Sequence, residues 1–161
     1  MYEQLVGFAD IGQEVQLIVQ DGLTLKGDER ELFSAFSNLV TNAIKYTPVN
    51  GQITIKWYVD GDNAVFQVSD TGAGIPEKDI PRLTERFFRV DDSRSREHGG
   101  TGLGLAIVKH VLTHHDAHLE ISSELGRGSV FRCIFPGERV VWPVSQSFTD
   151  LKSNVAVARP R

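Results

Sequence analysis

The chain has 161 residues, 40% of them hydrophobic and 24% charged, a composition that fits one globular domain with room for a short tail. A net charge of −4 and a pI near 5.7 argue against non-specific nucleic-acid binding. The single cysteine, Cys133, excludes an intrachain disulfide and fits a reducing compartment, and no apolar run approaches the roughly 20 residues that a membrane span needs.

The opening MYEQLVGFAD lacks the basic and apolar regions of a signal peptide. The chain is therefore expected in the cytoplasm, as a monomer, without membrane insertion of its own. Residues 1–12 read as a lead-in. Glu14 to Val19 alternate, with Val15, Leu17 and Val19 on one side, which predicts a strand. Asp21-Gly22 signals a turn, and Leu23 to Lys26 reads as a short partner strand.

A long helix is predicted from Asp28 to about Thr47, and the domain is organised around it. Asp28 and Glu31 have capping-box spacing. Leu32, Phe33, Ala35, Phe36, Leu39, Val40, Ala43 and Ile44 recur at helical spacing and give a wide apolar face. Asn38, Asn42 and Lys45, at i, i+4 and i+7, share one stripe, with Tyr46 beside them. Two carboxamides and an ammonium along an apolar helix suit either solvent or a polar ligand such as a magnesium–triphosphate group.

Thr47-Pro48-Val49-Asn50-Gly51 ends the helix. Gln52 to Val59 and Ala64 to Ser69 read as a hairpin turning at Asp60-Gly61-Asp62-Asn63. Asp70-Thr71-Gly72-Ala73-Gly74-Ile75-Pro76 breaks regular structure. From Glu77 to Gly100 the chain is highly charged, with a short helix predicted near Ile80 to Phe88 and a mobile loop beyond it. A second helix is predicted from Thr101 to about His114, with Leu105, Ile107, Val108, Val111 and Leu112 inward. His118 to Ser122 and Ser129 to Phe135 are two further strands joined by Glu124-Leu125-Gly126-Arg127-Gly128. Cys133 alternates with Phe131 and Phe135 and reads as a buried thiol. Val140, Val141 and Trp142 suit an edge segment, and Ser145 to Arg161 is polar and expected to be disordered. The layout predicts an α/β two-layer sandwich with helices on one face of a mixed sheet, the domain spanning 13–137 and the tail 138–161.

Glycines gather where the second helix begins, at Gly99, Gly100, Gly102 and Gly104. Free N–H groups at a helix N-terminus suit phosphate, although such glycines also mark ordinary turns. The spacing matches neither GxxxxGK(S/T) nor a dinucleotide fingerprint. Asp70, ending a strand, is a turn residue or a base-selecting carboxylate. A carboxylate accepts from the exocyclic amine of adenine but would face a carbonyl in guanine, a mismatch costing about 1–3 kcal/mol.

Together these segments resemble the sensor histidine kinases. Asn38 to Tyr46 is similar to the family's N box, Asp70 to Ile75 to its first glycine box, and Arg86-Phe87-Phe88-Arg89-Val90-Asp91 to its F box. Gly100 to Ile107 is similar to the second glycine box and Gly126 to Ser129 to a third glycine turn. The five segments stand in the family's order over roughly Gln13 to Pro136. GDERELFSAFSNLV and IPRLTERFFRVDDSRS, with GTGLGLAIVKH, look most like its phosphate-regulon branch.

The resemblance implies the Bergerat ATP-binding fold shared with gyrase B, Hsp90 and MutL, with ATP and Mg²⁺ as cofactors. Asn42 would ligate Mg²⁺, Asn38 would support metal and phosphates, and Lys45 would contact phosphate. Tyr46 would lie against adenine and Asp70 would bind its amine, with Gly72 and Gly74 shaping the pocket. Gly100, Gly102, Leu103 and Gly104 would wrap the triphosphate, with Ile75, Thr101 and Ser129 among the nucleotide contacts. Arg89 would reach the γ-phosphate from a mobile lid over Ile75 to Gly99.

ATP-hydrolysing members place a glutamate where Asn38 stands. A carboxamide cannot accept a proton at neutral pH, and general-base help is worth about 10²–10⁴-fold, so slow hydrolysis is expected. The family's phosphoacceptor motif matches none of the five histidines. His98 precedes glycines. His110 and His114 have zinc-ligand spacing without an evident third ligand, and they, His115 and His118 read as solvated positions. The chain thus looks like a catalytic domain acting on a histidine-containing dimerisation domain, with a response regulator downstream. The alternatives are an ATP-hydrolysing clamp, using Glu31 or Glu85 as the acid, and a non-catalytic interaction fragment.

Overall fold

The computed structural model describes residues 12–90 and 100–142 and the backbone of the strand Asn154–Ala158. Among the described residues, eight strands (β1 Glu14–Val19, β2 Thr24–Leu25, β3 Gln52–Asp60, β4 Asn63–Asp70, β5 His118–Glu124, β6 Gly128–Phe135, β7 Val140–Val141, β8 Asn154–Ala158) accompany two α-helices, α1 Glu29–Tyr46 and α2 Gly104–His114. Single 3₁₀ turns cover Glu77–Arg82 and Gly137–Arg139. The main sheet has the order β5-β6-β4-β3-β1-β8, and β2 pairs with β7 in a separate ribbon. The β1–β3 pair is parallel and the other pairs are antiparallel, so the sheet is mixed, as predicted.

Strand alternation sets the core. Ile53, Ile55 and Trp57 of β3, Ala64, Phe66 and Val68 of β4, and Phe131, Cys133 and Phe135 of β6 are buried in one cluster. Registers such as Trp57↔Phe66 and Phe66↔Cys133 keep these side chains in rows. The apolar face of α1 closes over them with Leu32, Ala35, Phe36, Leu39, Val40 and Ala43, and α2 adds Val108, Val111 and Leu112. The sheet's other face is mixed: Val65 and Ile134 are buried there, beside polar pairs in which Tyr58 Oη donates to Gln67 and Arg132 bridges Asp60 and Glu120.

Several sequence expectations change. The segment Leu23 to Lys26 does not pair with β1, because β1 already has β3 on one side and β8 on the other. Within the stretch expected to be disordered, Asn154–Ala158 is a strand running Val15↔Ala158 to Val19↔Asn154. An uncovered β1 edge would leave a row of unpaired backbone groups, and valine favours the extended form. The remainder of the tail, 143–153 and 159–161, lies outside the described residues, as do 1–11 and the lid portion 91–99.

The helix predicted near Ile80 to Phe88 is only the 3₁₀ turn Glu77–Arg82. It contains Pro81, and Phe87 sits at φ +65°, which no helix accommodates. The second helix starts at Gly104, because Gly102 takes φ +72°. Ile107 is exposed rather than inward. It precedes Val108 by one residue and so lies about 100° around the helix.

Candidate nucleotide site

Each end of α1 is fixed by a polar side chain. Asp28 Oδ1 accepts from the amides of Arg30 and Glu31, and those bonds hold its carboxyl below the usual range. At the other end Gln13, buried, donates from Nε2 to the carbonyls of Ile44 and Thr47, two of the acceptors that a helix C-terminus leaves open. Sequence periodicity gave no signal for Gln13.

Along α1 the polar stripe faces the start of α2. Asn38 Nδ2 donates to Ser34 O at 2.8 Å, leaving its Oδ1 toward Gly104, where an added Cβ would come within 2.8 Å of that oxygen. One turn on, Asn42 is half-buried, and its carboxamide makes no hydrogen bond among the described residues. Lys45 extends so that a Cβ at Gly100 would collide with its Nζ, and Arg89 Nη2 stands 3.8 Å from the same point. Lys45 Nζ also lies 5.2 Å from the centroid of the half-exposed Tyr46 ring. Two cations therefore converge on the glycine turn.

The turn itself is held by Phe87, whose N–H donates to Gly102 O at 2.9 Å. A Cβ at Gly102 would meet the Phe87 backbone, so this close approach and the positive φ both demand glycine. Helix α2 then begins at Gly104, with Leu103 as an N-cap that makes no side-chain hydrogen bond and no acidic residue in its first turn. Open amides beside two cations make a site for an anion. Thr101 is exposed and Leu103 half-buried.

The third part is the end of β4. Asp70 Oδ1 accepts from Gly72 N at 2.8 Å. Burial raises its pKa, opposed by hydrogen bonds from the backbone of Gly72 and Ser129. A Cβ at Gly72 would run into the Tyr46 carbonyl, and one at Gly74 into that of Glu124. The loop thus packs directly on the end of α1 and on the β5–β6 turn. Ile75 N donates to Ser123 Oγ at 2.8 Å, and Ser123 Oγ also contacts Gly128 O and the buried Ser129 Oγ. Ser123 was not singled out by any sequence motif, yet it anchors the segment that follows β4.

The acids considered for a hydrolytic clamp stand elsewhere. Glu31 is at the start of α1, 2.9 Å from His114 Nδ1, and Glu85 pairs with Arg82. His110, His114 and His118 are exposed as expected, but His115 is buried. Among the described residues no group of three or more histidines, cysteines or carboxylates could hold a metal ion, and no helix is long and apolar enough to cross a membrane.

Residues 27–139 match the family of histidine kinase-, DNA gyrase B-, and HSP90-like ATPases. The chain is 57% identical over 126 residues to the phosphate regulon sensor protein PhoR of Pseudomonas aeruginosa, covering 78% of this chain and 28% of that protein. Identity to the PhoR of Haemophilus influenzae is 46% over 127 residues, 79% of this chain and 30% of that one. The chain thus spans less than a third of these relatives. Among solved structures, a mycobacterial sensor histidine kinase, MprB, superposes with a TM-score of 0.73 at 30% identity over 84% of this chain and 90% of that one. Full-length ShkA in complex with AMPPNP superposes at 0.71 and 28% identity over 83% of this chain and 28% of that one.

Proposed function

The chain belongs to the histidine kinase-, DNA gyrase B-, and HSP90-like ATPase family, and from that premise we propose that it is the catalytic domain of a two-component sensor histidine kinase. It binds ATP with Mg²⁺ and presents the γ-phosphate to a histidine on a dimerisation domain, from which a response regulator takes it. The similarity to two PhoR proteins supports phosphate limitation as the signal and the cytoplasmic part of an inner-membrane sensor as the location.

The observation that carries this reading is Asn38. The side chain against Gly104 is a carboxamide, which can position a phosphate or a metal-bound water but cannot take a proton from water. Phosphoryl transfer asks mainly for alignment and charge neutralisation. Lys45 and Arg89, converging at Gly100, supply the charge, and the uncapped start of α2 supplies donors. Asp70 reads the adenine amine with Gly72 and Gly74 as the floor of its pocket, and Tyr46 flanks the base. Ile75, Thr101, Leu103 and Ser129 lie in the segments that would enclose the nucleotide.

Mg²⁺ takes oxygen ligands and is held by few protein groups together with substrate phosphates. Asn42 fits that requirement: its carboxamide is half-buried and has no hydrogen-bond partner among the described residues. When bound, the ion would neutralise phosphate charge, with Asn42 as its protein ligand and Asn38 beside it.

The test is phosphotransfer from γ-labelled ATP to an added histidine-containing dimerisation domain, run beside ATP hydrolysis without it. Transfer with slow acceptor-free hydrolysis is expected. Fast hydrolysis without acceptor would favour the clamp reading, and no binding of AMPPNP at millimolar concentration with Mg²⁺ would favour a non-catalytic fragment.

A further inference from the structure

His115 is the buried histidine that sequence periodicity placed in solvent. Its residue is 3% exposed, and both ring nitrogens are engaged. The N–H of Asp28 points to Nε2 at 3.0 Å, and Nδ1 lies 2.7 Å from Val111 O. A backbone amide can only donate and a carbonyl can only accept, so the ring proton is on Nδ1. His115 thereby takes the N-cap amide that Glu31 would occupy in a complete capping box. Glu31 instead turns to His114 at 2.9 Å, with Oε2 3.9 Å from His115 Nδ1. Gly27 makes the approach possible. A Cβ there would sit 2.7 Å from the His115 ring and 2.8 Å from Leu32.

The contact has a counterpart at the other end of α2. Asn38 meets Gly104, and Asp28 meets His115. The two points on α1 are separated by about 15 Å of helix and those on α2 by about 16.5 Å, at about 1.5 Å per residue. The helices are therefore antiparallel struts pinned at matched positions. A bond at the far end opposes sliding of α2 along α1, and with it any change in the distance between the glycine turn and Asn38.

We propose that His115 is a positioning residue for the phosphate end of the nucleotide site: its bond to Asp28 sets the axial placement of α2, and so of Gly102–Gly104, against Asn38 and Asn42. This rests on the nucleotide reading of the site. The base end, at Asp70, is held by β4 and its neighbours and does not depend on the pin.

The test compares His115→Gln, His115→Asn and His115→Leu in MgATP and adenosine binding. Glutamine carries an acceptor about where Nε2 stands, asparagine is too short to reach Asp28, and leucine has none. The Leu and Asn variants should lose about tenfold in MgATP affinity, roughly the effect of one hydrogen bond, with adenosine affinity unchanged. The Gln variant should stay near wild type. Equal losses for ATP and adenosine, or a Gln variant as poor as Asn, would overturn the proposal. If the Leu variant does not fold, the Gln–Asn pair decides. The amide resonances of Gly102 and Gly104 in nucleotide-free protein give a ligand-independent readout, expected to move in Asn and not in Gln. Wild-type protein that binds no MgATP would sink the nucleotide reading itself, and those resonances would still decide whether His115 places the turn.

Discussion

Behind α1 the space is filled. Phe36 stacks on Phe66 with ring centroids 3.9 Å apart, meets Phe135 edge-on at 6.0 Å, and Trp57 closes the cluster with its Nε1 donating to Leu23 O. In front of α1, between Asp70 and Gly104, the described chain is a 3₁₀ turn, bends and close backbone contacts. Phe87 there is 70% exposed at a positive φ. One side is filled by buried aliphatic and aromatic side chains. The other holds polar side chains at half-burial against glycines, the arrangement that the proposed nucleotide would complete. Stability and binding are thus drawn from opposite faces of one helix, and substitutions on the two faces should act independently.

The strongest way to break that separation is Phe36→Ala. It should cost about 3–5 kcal/mol in urea unfolding while leaving MgATP affinity of the folded fraction unchanged. A parallel loss of affinity would mean that the core and the site are not separable. On the other face, Arg89→Ala should slow transfer to an added acceptor by about 10²–10³-fold, the scale for removing a donor at developing charge. Undiminished transfer would remove Arg89 from the reaction. Asn42→Ala should weaken MgATP about 10- to 100-fold yet leave adenosine binding and the unfolding midpoint alone; equal affinity with and without Mg²⁺ in wild type would exclude it as ligand.

The smallest effect expected is at Asp70. Asp70→Asn should shrink the preference for ATP over GTP by about tenfold, within the 1–3 kcal/mol of a mispaired buried group. Burial raises this carboxyl above its usual value of 3.8, so the folded chain binds the proton at a higher pH than the unfolded chain does. Its contribution to stability therefore grows as pH falls through the raised value toward 3.8 and is lost as pH rises through it. That slope should vanish in the Asn variant, seen as a smaller pH dependence of the unfolding midpoint.

Periodicity in the sequence was enough to place α1, the β3–β4 and β5–β6 hairpins and the buried Cys133, because one-sided burial imposes a repeat of 3.6 or 2. The glycine clusters and the asparagine stripe carried the resemblance. Gln13, Ser123 and His115 were not legible as anchors. Each is one polar residue with a partner 31, 48 or 87 positions away in sequence, and no local pattern encodes such a partner. The partner of β1 was misassigned for a related reason: a turn signal suggests a hairpin, but the parallel β1–β3 pair needs the whole of α1 as its crossover.

Cys133 gives the domain an internal clock. It is the chain's one thiol, fully buried in β6 opposite Phe66, and burial pushes its pKa far up. An alkylating reagent needs the thiolate, so labelling waits for β6 to part from its neighbours. At reagent concentrations where labelling outruns reclosing, the rate of dye uptake at this sulfur times how often the folded sheet comes open, with no engineered reporter in the way.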